Sequence, residues 1–145
     1  MSIFFKGKEV EAVLFSPLEG KITYQGKPAA GAKIMRWVAW KDTDGETDVF
    51  YADNQGKFNI PKKTIIYKEN PLVQISIGQE LTVEYQGKRT LIWKAGKSSS
   101  HLFGELGGQP VGLTCELTKE EMTAHLEHAL VETLCEWENL KSYKE

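Results

Sequence analysis

The chain has 145 residues, of which 41% are hydrophobic and 26% charged, with a formal net charge of −2. A single domain of this length buries roughly 68% of its unfolded surface, enough for a core without metal or disulfide staples. The 18 Lys and Arg are scattered among 20 Asp and Glu, which excludes a general nucleic-acid binder, whose affinity needs clustered cations.

No stretch approaches the roughly 20 apolar residues of a membrane span. The N-terminal MSIFFKGKEVEAVLF is broken by Lys6, Lys8, Glu9 and Glu11 and lacks a signal-peptide pattern. The expected location is therefore the cytoplasm. There the two cysteines, Cys115 and Cys135, are expected as free buried thiols. If paired, they would close a loop of about 20 residues.

The expected elements begin with a strand from Val10 to Phe15, ended by Ser16-Pro17. A second strand runs from Lys21 to Tyr24 into a turn at Gln25-Gly26-Lys27-Pro28. Lys33 to Trp40 is the longest expected strand. Ile34, Val38 and Trp40 share one face with Arg36 between them; Met35, Trp37 and Ala39 share the other. Asp42 to Asp48 then reads as an acidic loop. Val49 to Ala52 returns as a strand, Asp53 to Gly56 turns, and Lys57 to Ile60 pairs back before Pro61. Apolar Leu72-Val73 and Ile75 to Ile77 lead into a hairpin, Gly78 to Tyr85 with Lys88 to Lys94, around Gln86-Gly87. Ala95 to Pro110 reads as a long loop, and Val111 to Leu117 as another strand.

The last segment is ambiguous. Thr118 and Glu121 form a capping-box pattern, and Met122, Leu126, Leu130, Leu134 and Trp137 recur at helical intervals, favouring a helix over 118–140. The Val, Thr, Cys and Trp content of 131–137 favours ending the helix early with a strand from Leu130 to Trp137 instead, which puts Val131, Thr133, Cys135 and Trp137 on one face and brings Cys135 near Cys115. The expected fold is one all-β domain over 1–145. It is a sandwich of about seven antiparallel strands with its core over about 10–117 and a C-terminal extension over 118–145.

Residues 18–60 resemble the transthyretin-like or carboxypeptidase regulatory-like domain. The likeness rests on Gly20, Gly26 with Pro28, Gly31-Ala32, and Asp53, Gly56 and Phe58. More narrowly, the chain resembles a family of uncharacterised bacterial proteins. That pattern includes Phe-Ser-Pro-x-Glu-Gly (Phe15 to Gly20), Ile92-Trp93, Gly-Glu-Leu-Gly-Gly (Gly104 to Gly108) and Cys-x-Trp (Cys135, Trp137). The broader resemblance implies a transthyretin-like sandwich and the narrower one no known activity. Transthyretin-like hydrolases of 5-hydroxyisourate carry an early His and a C-terminal Tyr-Arg-Gly-Ser. Here the first His is His101 and the chain ends Ser142-Tyr143-Lys144-Glu145, so that activity is not expected.

Candidate chemistry is sparse. Cys115 with His101 would need an orienting third group, and none is evident. His125-x-x-His128 could offer two imidazoles on a helical face, but its spacing is one short of the usual zinc pair. Asp42, Asp44, Glu46 and Asp48 place four carboxylates in seven residues, but without the EF-hand spacing for calcium. Catalytic residues, metal and cofactor are accordingly expected to be absent. The carboxylates follow Trp37 and Trp40 directly, and aromatic anchors beside charges are a common composition of binding surfaces. The expected function is a non-catalytic protein-binding module using Trp37, Trp40, Asp42, Asp44, Glu46 and Asp48. Its specific version is a bacterial immunity-type protein that neutralises a cognate toxin. The alternative is a small-ligand or carbohydrate module stacking its ligand on Trp37, Trp40 or Trp93.

Overall fold

The computed structural model describes residues 7–41, 43–126 and 129–142. Its strands in chain order are β1 (Glu9–Phe15), β2 (Leu18–Tyr24), β3 (Lys27–Pro28), β4 (Lys33–Trp40), β5 (Glu46–Tyr51), β6 (Lys57–Ile60), β7 (Lys63–Lys68) and β8 (Ile77–Tyr85). They continue as β9 (Lys88–Lys97), β10 (Gln109–Val111), β11 (Thr114–Glu116), β12 (Met122–Leu126), β13 (Ala129–Thr133), β14 (Cys135–Glu136) and β15 (Asn139–Lys141). No helix forms among the described residues.

Six strands make the larger sheet, in the order β12-β13-β9-β8-β4-β5. Five make the second, β14-β11-β2, with β3 and β6 both paired to the other edge of β2. The pairs β1-β7 and β10-β15 complete the fold. The β11–β2 pairing is parallel and brings the chain's last third against its first. Leu18, Ile22, Phe58 and Cys115 from the second sheet join Ile34, Leu81, Val83, Trp93 and Val131 from the first in one buried cluster. This is sandwich-like packing, two sheets sharing a core through alternate inward side chains.

Local chemistry explains the sharp turns. Gln86 and Gly87 both adopt left-handed backbone, φ 51° and 76°, as a two-residue hairpin loop between β8 and β9 requires. Gln25 and Gly26 do the same between β2 and β3. Gly56 is tighter still, because a Cβ there would strike the carbonyl oxygen of Ile22.

Of the two readings of the C-terminal segment, the helix is not present and the strand over 130–137 is, broken at Leu134. The segment is β12 to β15, and it supplies strands to both main sheets. Its burial alternates: Ala129, Val131 and Thr133 are buried, whereas Leu130, at the helical spacing, is 41% exposed. Tertiary pairing overrides the apolar periodicity, since β13 lies on β9 with Val131 opposite Ala95 and Thr133 opposite Trp93. The free thiols expected in the cytoplasm are likewise replaced. Cys115 on β11 and Cys135 on β14 stand directly opposite and form a disulfide.

Three smaller departures matter. β5 starts at Glu46, so Glu46 and Asp48 lie in a strand rather than a loop. β7, a strand not among those expected, lies between Pro61 and Asn70-Pro71 and pairs with β1. The strand expected over Val111 to Leu117 breaks at Gly112, whose φ is 70°. Leu72, in an apolar pair ahead of the hairpin, is 92% exposed.

Glu116 stitches β11 to the β2–β3 turn. Its carboxylate accepts from the Thr23 and Thr118 hydroxyls and from the backbone N–H groups of Gln25, Gly26 and Thr118. Desolvation pushes its pKa up, but the hydrogen bonds, led by those from Thr118 and Gly26, outweigh that and hold it at about 2. A folded pKa below the unfolded 4.5 gives a contribution that is complete above that value and lost as pH falls towards about 2. Urea midpoints measured across this interval should fall, and fall less steeply in Glu116→Gln. Parallel profiles in the two proteins would refute the assignment.

Candidate functional site

The residues named from the sequence do not form one patch. Trp37 and Trp40 are three positions apart on β4 and so face opposite ways. Trp37 points outward, donates its indole N–H to the Asp44 carbonyl at 3.1 Å, and packs on Gly45 and Gly78. A Cβ at Gly45 would collide with that indole, which explains the glycine in this loop. Trp40 turns inward, with its ring 5.1 Å from that of Tyr67 and under the Lys41 ammonium. Asp42 lies outside the described residues.

Glu46 and Asp48 are engaged within the fold. Asp48 sits opposite Arg36 in the β4–β5 register. It accepts from Arg36 Nη2 and Lys63 Nζ, both at 2.9 Å, and Lys63 also reaches Glu46 at 2.9 Å. Arg36 is 4% exposed, donates to the Pro61 carbonyl, and lies between the rings of Phe15 and Phe50. The hydrogen bond from Arg36, and then that from Lys63, hold the Asp48 carboxyl below the usual range. Desolvation pushes Lys63 down, but its two carboxylate partners outweigh that and raise it. Thus two of the expected binding carboxylates neutralise a buried guanidinium and its neighbour. Asp44 remains exposed at the loop.

Strand alternation places Met35 and Trp37 of β4, and Thr47, Val49 and Tyr51 of β5, on the outer face of the larger sheet. Val49 is 46% and Tyr51 65% exposed. Glu80 of β8 adjoins Trp37 in register. On β5 the even positions Asp48 and Phe50 face Arg36, with Glu46 still 77% exposed while paired to Lys63, and the odd ones, Thr47, Val49 and Tyr51, face outward. Only the parity of the strand separates the two, so its start at Glu46 was the information missing from the sequence.

A second cluster, which the sequence did not suggest as a unit, is buried under the 98–108 loop. Glu105 is 5% exposed and accepts from Ser16 N–H (2.9 Å), Ser16 Oγ (2.7 Å) and Gln79 Nε2 (2.9 Å). Lys97 Nζ is 3.4 Å from Glu105 Oε1, and its side chain is fully enclosed. Trp93 donates its indole N–H to Gln79 Oε1 at 3.0 Å. A cavity of about 20 Å³ adjoins the cluster, lined in part by Phe15, Trp93 and Phe103, which is room for about one water. Three motifs of the narrower resemblance meet here, through Ser16, Trp93 and Glu105.

Cys115 is held in the disulfide and offers no thiolate to His101. His125 lies on strand β12, and His128 is outside the described residues. Among the described residues no group of three or more His, Cys, Asp or Glu side chains is placed to hold a metal ion.

These features define an all-β, sandwich-like domain with an apolar outer strip and a buried polar cluster. Residues 18–120 match the family described as a domain of unknown function, DUF6795, and the chain belongs to that family. No curated protein and no solved structure matches the chain.

Proposed function

We propose that this chain is a non-catalytic protein-binding module that docks its partner on the outer β4–β5 face of the larger sheet. The observation that carries the reading is the strip formed by Met35, Trp37, Val49 and Tyr51, with its two edge-strand members 46% and 65% exposed. Rigid aromatic and apolar anchors with charges at their rim suit a protein interface. Asp44 and Glu80 supply those charges, while Glu46 and Asp48 hold the strand in place from behind. In its specific version the partner is a toxin and the chain an immunity-type protein.

The carbohydrate alternative loses two of its three platforms. Trp93 is 2% exposed, and Trp40 is occupied by Tyr67 and Lys41. The scaffold itself we assign to transthyretin-like sandwiches, supported by the left-handed Gly26, Gly31 and Gly56 of the 18–60 stretch.

The test is affinity capture against the products of neighbouring genes. One of them should bind the wild type, and Tyr51→Asp with Val49→Asp should weaken binding at least tenfold without changing the urea midpoint. An absence of any tight neighbour would refute the immunity version; binding indifferent to both substitutions would refute the surface. On location, the sequence argues for the cytoplasm and the disulfide for an oxidising compartment. Acid quenching of cells followed by alkylation under denaturing, non-reducing conditions decides, two modified thiols being the cytoplasmic result and none the other, since both cysteines are fully buried in the fold.

A further inference from the structure

The buried cluster contains the elements of an amide-forming reaction that the proposed binding role does not use. Lys97 is a primary amine with no exposed surface, on β9. Gln79 is a carboxamide 1% exposed, on β8. The register sets Gln79 opposite Ala95 and Ile77 opposite Lys97, so Gln79 and Lys97 are diagonal neighbours across the hairpin. Both have buried side chains on the inward face, and the Cβ atoms of such diagonal pairs lie roughly 7 Å apart, within the reach of a lysine.

Three further contacts arrange the chemistry. Trp93 Nε1–H can only donate, so the Gln79 atom facing it at 3.0 Å is the carbonyl oxygen. A donor on that oxygen polarises the carbonyl and would stabilise the oxyanion of a tetrahedral intermediate. The other end of the amide, Nε2, lies 2.9 Å from Glu105 Oε2. Glu105 Oε1 lies 3.4 Å from Lys97 Nζ. One carboxylate therefore touches both the amine and the nitrogen that would leave. Burial lowers the Lys97 pKa, with Glu105 offsetting only part of the effect, which favours the neutral, nucleophilic amine.

We propose that Lys97 and Gln79 join in an intramolecular isopeptide bond, with Glu105 as the proton-transfer group and Trp93 as the oxyanion donor. Lys97 Nζ attacks Gln79 Cδ and passes a proton to Glu105. The tetrahedral intermediate collapses by breaking the Cδ–Nε2 bond. Glu105 returns the proton to Nε2, which leaves as ammonia. The balance is an amine plus a carboxamide giving a secondary amide plus ammonia, with no oxidant, reductant or cofactor. Glu105 is the poorer electrophile, because condensation at its own carboxyl would need a second acid to carry away the hydroxide, and the contacts of the cluster supply none.

The test is the intact mass of the purified full chain under denaturing, reducing conditions. The expected result is a protein lighter by one ammonia, about 17 Da, with a proteolytic product linking the peptides of Gln79 and Lys97. Lys97→Arg and Glu105→Gln should each carry only the mass of the substitution. A wild-type mass equal to that of the unmodified chain overturns the proposal without need of any variant. A loss of one water, about 18 Da, with Lys97 linked to Glu105 would overturn the assignment of Gln79. An ammonia loss that persists in folded Glu105→Gln would overturn the role of Glu105.

Discussion

Asp48→Ala is expected to destabilise the fold by about 3 kcal/mol, read as a shift in the urea midpoint at neutral pH. The reason is the residue it abandons. Arg36 is 4% exposed between Phe15 and Phe50, and Asp48 is its carboxylate partner, at 2.9 Å. Removing one member of a buried pair leaves the other's desolvation uncompensated, which typically costs about 3–5 kcal/mol. The Asp48 side chain is 38% exposed, so the lower end applies. Lys63 aggravates the loss, because it would then approach Arg36 with only Glu46 to balance it. Arg36→Met added to Asp48→Ala should recover part of the stability, since a charge pair replaced by apolar atoms can be nearly neutral. The pH dependence has a defined sign. The folded Asp48 pKa lies below the unfolded 3.8, so its contribution is complete above that value and lost as pH falls through the folded one. If Asp48 served a partner rather than the fold, Asp48→Ala would leave the midpoint unchanged and abolish binding.

Replacing both Cys115 and Cys135 by Ala is expected to cost about 3 kcal/mol, the loop-closure value for a separation of about 20 residues. The bond joins β14 to β11, whose pairing has only two registered positions, Thr114 with Glu136 and Cys115 with Cys135. So short a ladder has few hydrogen bonds of its own, and the covalent link carries the attachment of β14 to the second sheet. Reduction should therefore raise hydrogen exchange in 134–141 before it does so in β8 and β9. Uniform loss of protection, or a cost below about 1 kcal/mol, would assign the stability of this corner to packing alone.

Much of the architecture was legible because its signals are local. The Gln86-Gly87 hairpin, the alternation along β4 and the Asp53 to Gly56 turn depend on residues within a few positions of one another. Asp53 makes the point: its carboxylate accepts from the N–H groups of Gln55 and Lys57, so the turn carries its own hydrogen bonds. The C-terminal segment stayed ambiguous because its local signal, apolar residues at helical spacing, competes with a distant one, and the strand reading of 130–137 is the one that formed. Val131 and Thr133 find their partners on β9, and Cys135 finds Cys115, only after the chain has folded back.

The site divides the same way. Trp37 with Asp44 is a contact across seven positions and could be suspected from the sequence. The engagement of Asp48 by Arg36 depends on the β4–β5 register, and that of Lys63 on the approach of a third strand. The cluster around Glu105 gathers residues up to 89 positions apart. Its members were individually visible, Ser16 before a proline, Trp93 in a hairpin and Glu105 between glycines, but no spacing connects them.

By itself, then, the sequence determined the all-β class, the turns and most of the strand faces, because alternation and turn chemistry act over a few residues. The tertiary structure alone decided which charges are spent inside the fold, whether the two cysteines join and which polar groups share a buried site. Those outcomes are contacts between distant segments, and their energies depend on desolvation that no local pattern records.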